Sequence, residues 1–122
     1  MKPLLADKDN AYLSKYLAEI IKKVPIKIRS LDYYIEKNDI QSIDILKIDT
    51  EGFEFEVLKG LKENFHRVNF IYFEHHYDDM IKKNYSFSDI HNLLKNFGFI
   101  KRFKSRMPFR KSFEYVYQNL SK

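Results

Sequence analysis

The sequence predicts an α/β fold, a mostly parallel sheet completed by a C-terminal antiparallel hairpin. Three observations predict it. The runs Ile43-Asp44-Ile45-Leu46-Lys47-Ile48 and Val68-Asn69-Phe70-Ile71-Tyr72-Phe73 are apolar, of strand length, and each ends in a carboxylate, Asp49 and Glu74. Between them, residues 54–64 place Val57, Leu58 and Leu61 at helical spacing. Strand, helix, strand of this size reads as a right-handed βαβ unit with two parallel neighbouring strands. Finally, residues 99–104 and 113–119 read as strands joined by Met107-Pro108-Phe109-Arg110-Lys111, too short for a crossover helix, so they pair as a hairpin.

The remaining elements follow in order. Residues 10–23 carry Tyr12, Leu13, Tyr16, Leu17, Ile20 and Ile21 at helical spacing, an amphipathic helix that Pro25 ends. Ile26-Lys27-Ile28-Arg29-Ser30 alternates and predicts a short strand, half exposed or at an edge. Ser30 can cap a short helix over residues 31–37. Gly52 stands where the first strand must turn into a helix, a place that favours positive φ or close backbone approach. Ser86 or Ser88 starts another helix, with Ile90, Leu93, Leu94 and Phe97 as its buried stripe and Gly98 as its stop. The expected core is Ile45, Ile48, Val57, Leu58, Leu61, Phe70, Ile71, Phe73, Leu93, Leu94 and Phe97. Residues 1–24 form a helical lead-in and residues 25–122 the α/β domain.

At 122 residues, 44% of them hydrophobic, the chain can bury a real core in one domain. With no cysteine there is no disulfide framework or thiolate chemistry, which fits a reducing compartment. The apolar stretches fall short of a membrane span and the N-terminus soon meets charge, so a cytoplasmic protein without a membrane partner is expected. The net charge of +5 concentrates at Lys101-Arg102-Phe103-Lys104-Ser105-Arg106 and Arg110-Lys111. A solvated edge strand blunted against aggregation accounts for that stripe, and no nucleic-acid motif accompanies it. Only three glycines are present, none in a G-x-G pattern after a strand, so the phosphate-cradling fingerprints are absent.

Ligands in open α/β sheets bind outside the carboxyl ends of the strands. Asp49, Glu51, Glu74 and His75 are all expected at that rim. Asp49 and Glu51 can serve chemistry, or can satisfy the backbone N–H groups of the following turn. Glu74 can bond a neighbouring loop or join Asp49. His75 is a candidate general base because imidazole titrates near neutrality, whereas His76 points the other way if alternation continues. Asp49, Glu74 and His75 could together ligate a divalent ion, but no spacing compels it and no metal is assigned. Lys47 must pair with Asp44, Glu56 or Glu74, snorkel, or face a solvated cleft. His66 and His91 are expected on helix surfaces.

The run Leu46-Lys47-Ile48-Asp49-Thr50-Glu51-Gly52-Phe53-Glu54, continuing to Val57-Leu58-Lys59-Gly60, resembles the signature of the FkbM-family methyltransferases. Leu31-Asp32 upstream, Ile71-Tyr72-Phe73-Glu74-His75, Ser88-Asp89-Ile90 to Gly98-Phe99, and residues 113–119 are similar to the family's other elements, in the same order. The resemblance covers residues 26–120. It implies a partial Rossmann-like, class I methyltransferase-type fold and methyl transfer from S-adenosylmethionine to a hydroxyl of a glycan or small metabolite. Asp49 would then orient the acceptor hydroxyl or take its proton. The family's glycine-rich donor loop and the acidic residue ending its second strand have no counterpart here. The chain therefore corresponds to the C-terminal half of the domain and is expected to be inactive alone. An interaction module is the other reading, with a partner chain or a second copy on an unpaired strand edge.

Overall fold

The computed structural model describes residues 2–21 and 23–122, with side chains from residue 11 onward. Met1 and Lys22, which fall within the expected lead-in and its helix, lie outside the described residues. The elements are α1 (Lys2–Ile20), α2 (Leu31–Lys37), β1 (Ile43–Ile48), α3 (Glu54–Lys59), β2 (Val68–His76), α4 (Phe87–Asn96), β3 (Phe99–Arg106) and β4 (Ser112–Asn119). The sheet order is β1-β2-β4-β3. β1 and β2 are parallel neighbours joined through α3, and the β3–β4 hairpin extends the sheet beyond β2, as the sequence predicts.

One expectation about the sheet needs correcting. Only the β1–β2 pair is parallel, so the sheet is mixed rather than mostly parallel. The alternating segment at residues 26–30 forms no strand, and Ile26 and Ile28 are exposed. A strand needs a neighbour to take its backbone hydrogen bonds, and none lies beside these residues.

The caps explain the helix limits. Ser30 accepts the Tyr33 N–H and starts α2. Ser86 and Asp89 form a reciprocal capping box at α4, while Gly98 beyond it has φ of +86°. The helix after β1 stops at Lys59 rather than Asn64. Asp32 is the reason: its N–H donates to Gly60 O, and its carboxylate takes the Glu63 N–H at 2.9 Å and the Asn64 amide at 2.7 Å. That carboxylate draws residues 60–64 out of the helical path.

Helices α3 and α4 cover one face of the sheet. Leu58, Ile90 and Leu94 pack there against Ile48, Ile71, Phe73, Tyr115 and Tyr117, all buried. The other face is open. Ile45, expected in the core, is 65% exposed, because it points away from both helices. Phe97 is also more exposed than expected, stacked on Phe65 at the edge of the core. The apolar side chains from Tyr12 to Ile20 in α1, and Ile21 just beyond it, are exposed as well. No helix among the described residues is long and apolar enough to cross a membrane.

Candidate functional site

Parallel pairing puts Ile48 opposite Phe73, so Asp49, just past the end of β1, and Glu74, two residues before the end of β2, line one hollow. The open face carries them. Lys47, Ile48, Asp49, Tyr72, Phe73, Glu74 and Glu114 line a hollow of about 40 Å³. That volume holds roughly one or two water molecules and is too small to enclose an organic ligand. Tyr72 donates to Glu114 at 2.6 Å, and this bond pushes the phenol up to about 12. Lys47 takes none of its expected carboxylate partners. Its ammonium sits 5.5 Å over the Tyr72 ring.

Asp49 is exposed and free of the turn that follows it. The role of anchoring that turn belongs to Glu54, which sequence reasoning passed over. Glu54 is buried, and its carboxylate accepts the N–H of Thr50 at 3.0 Å and of Gly52 at 3.1 Å. The Tyr85 hydroxyl donates to the same carboxylate. Burial alone would raise the Glu54 pKa; the Tyr85 and backbone hydrogen bonds outweigh it and hold the group below its ordinary value. The sequence signal was available: Phe53, at the N-cap, has no side-chain oxygen to cap α3.

The turn itself is tight. Glu51 has φ of +55° and Gly52 has φ of +104°. A Cβ on Gly52 would stand 2.4 Å from the Lys82 carbonyl oxygen, so glycine is required both by angle and by space. Two contacts thus lock the turn at residues 49–53 to the loop at 77–86, Gly52 on Lys82 and Glu54 to Tyr85.

The two histidines exchange their expected places. β2 runs on to His76, so His75 shares the inward parity of Ile71 and Phe73. It is 3% exposed, ringed by Tyr77, Tyr85 and Phe87, and its Nδ1 has no hydrogen-bond partner. Burial, with Lys83 adding to it, pushes its pKa down to about 4. A neutral, enclosed imidazole of this kind is core and not a rim base. His76 instead faces the rim, its Nε2 3.6 Å from Glu74 Oε1 and 3.8 Å from Glu51 Oε2. Of the expected site residues, Asp49 and Glu74 line the hollow and Glu51 stands nearby, while His75 is elsewhere. His66 is exposed as expected; His91 is half-buried, with Nδ1 2.7 Å from the Tyr117 hydroxyl.

Among the described residues, no group of three or more His, Asp or Glu is placed to hold a metal ion. The rim instead gathers acidic groups, Asp49, Glu51, Glu74 and Glu114, around one lysine and one histidine. Such a surface can orient a hydroxyl, accept its proton and favour a nearby cation.

Comparison with known proteins sharpens this. The sequence profile described as the methyltransferase FkbM domain matches residues 3–101. A 2-O-methyltransferase, NoeI, from Sinorhizobium fredii is 28% identical over 80 residues, 66% of this chain and 33% of that protein. A hexuronic acid methyltransferase, AglP, from Haloferax volcanii is 39% identical over 51 residues, 42% of this chain and 21% of that protein. The match thus spans a third or less of the length of these curated relatives. No solved structure matches.

Proposed function

The chain belongs to the FkbM methyltransferase family, and from that premise we propose that it is the acceptor-side half of an S-adenosylmethionine-dependent O-methyltransferase. The observation that carries the reading is that Asp49, inside the family's signature, and Glu74 of β2 line one hollow at the rim. On this reading the sheet is the C-terminal half of a Rossmann-like domain, and the acceptor is a hydroxyl of a glycan or small metabolite. Both curated relatives carry methyltransferase names, one for 2-O transfer and one for a hexuronic acid, which supports that class.

Asp49 orients the hydroxyl over the hollow and accepts its proton as the oxygen takes the methyl group. Glu74, flanked by His76, holds the other side of the rim. The donor supplies an electrophilic methyl on a sulfonium cation, and the acidic rim suits that charge. The rim hollow, at about 40 Å³, is too small for the adenosyl part. The donor-binding strands are therefore assigned to polypeptide other than these 122 residues. Isothermal titration of the 122-residue chain with S-adenosylmethionine tests the division: no heat beyond dilution is expected, and micromolar binding contradicts it.

A second reading is a non-enzymatic module that pairs with another chain. The free edge of β1, beside exposed Ile45, and the exposed Val24, Ile26 and Ile28 favour it. Sedimentation discriminates: a clean monomer at micromolar concentration argues against self-association.

A further inference from the structure

The turn that carries the signature also forms one wall of a cleft of about 320 Å³, lined by Gly52, Phe53, Glu56, Lys82, Lys83, Asn84 and Tyr85. Phe53 is 60% exposed on that wall, so its ring is open to a ligand in the cleft. Lys82 and Lys83 line the opposite wall. No carboxylate forms a salt bridge with either of them among the described residues, and Glu56 in the cleft is paired with Lys59 at 2.7 Å. Lys83 Nζ donates to the Asp78 carbonyl at 2.9 Å, which fixes its ammonium without neutralising it. The wall is not free to drift, because the Lys82 backbone is seated on Gly52 and Tyr85 is bonded to Glu54.

We propose that this cleft seats an anionic sugar unit of the acceptor, its ring against Phe53 and its acidic substituent between Lys82 and Lys83. The proposal rests on the methyl-transfer reading for its connection to Asp49, and it adds the class of acceptor. The apolar C–H face of a pyranose gains by covering an exposed aromatic ring. Two lysines without carboxylate partners offer charge-assisted hydrogen bonds that a neutral sugar cannot use. Carboxylate and phosphate share that chemistry. The contact of Gly52 on Lys82 and the bond of Tyr85 to Glu54 keep the cleft in fixed register with the turn that follows β1.

The test is a titration of the ¹⁵N-labelled chain at low salt, following amide shifts of Gly52, Phe53 and Asn84. The probes are methyl β-glucuronide, glucose 6-phosphate, methyl β-glucoside and plain acetate. The anionic sugars are expected to bind about fivefold more tightly than the neutral glycoside, the difference fading with salt. Whichever anionic sugar binds more tightly identifies the substituent. The double variant Lys82→Gln, Lys83→Gln should erase the preference, and Phe53→Ala should weaken every sugar. Equal affinity for charged and neutral sugars, no shift at the cleft, or acetate binding as tightly as the sugars overturns the proposal. Because no methyl donor is present, this titration reads sugar binding alone; the methyltransferase reading stands or falls separately, on labelled-methyl transfer with the donor-binding half supplied.

Discussion

The Tyr85 hydroxyl donates to the buried carboxylate of Glu54, and that bond ties the loop before α4 to the turn after β1. The same carboxylate holds the Thr50 and Gly52 amides, so one acidic side chain sets the shape of the turn that carries Asp49.

Removing the hydroxyl should therefore be costly. Tyr85→Phe is expected to lose roughly 1–3 kcal/mol in a urea titration, since a buried acceptor loses its partner. The Glu54 pKa is lowered on folding, so its contribution is complete above its unfolded value and is lost as pH falls through the folded one. Glu54→Gln should flatten that acid-side loss. A variant as stable as the wild type at neutral pH would show that the turn is held by something else.

His75 gives a second, separable pH dependence. Its folded pKa of about 4 lies below its ordinary 6.5, so protons favour the unfolded chain. Stability should be full above about 6.5, decline as pH falls from there toward 4, and level off below. His75→Phe keeps the aromatic enclosure and should remove this decline. Thermal melts between pH 7 and 4 read it directly; the same slope in the variant would contradict the burial argument.

Packing is tested at Leu58, which is fully buried between α3 and the sheet. Leu58→Ala should lose roughly 2–5 kcal/mol. A loss below about 0.5 kcal/mol would mean that the cavity collapses without penalty, at odds with a close-packed core.

Much of this was legible in the sequence, and the exceptions have physical causes. Ser30 announces its helix through a local hydrogen bond that any capped helix makes, and of the two serines that could start α4 it is Ser86 that caps it, while Ser88 lies within the helix. The β1–β2 pair was legible because both runs end in carboxylates and enclose a helix. Ile26 and Ile28 misled, since alternation records strand preference but not the presence of a neighbouring strand. Ile45 misled because the sequence does not say that only one sheet face is covered. His75 and His76 changed roles through the length of a single strand: ending β2 at Glu74 leaves their directions open, whereas continuing it to His76 fixes both by alternation. Glu54 was hidden because its contacts come from Thr50, Gly52 and the distant Tyr85.

The central claim is that Asp49 takes the proton of the methyl-accepting hydroxyl. It is exposed and bonded to none of the turn's amides, so Asp49→Asn should leave stability within about 0.5 kcal/mol of wild type. The most direct measurement is labelled-methyl transfer from S-adenosylmethionine, by wild type and Asp49→Asn, with the donor-binding half supplied by a longer reading frame or a partner chain. The account predicts a fall of roughly 10²–10⁴-fold for the variant with its fold intact. Unchanged turnover at wild-type stability would remove Asp49 from the chemistry and contradict the account.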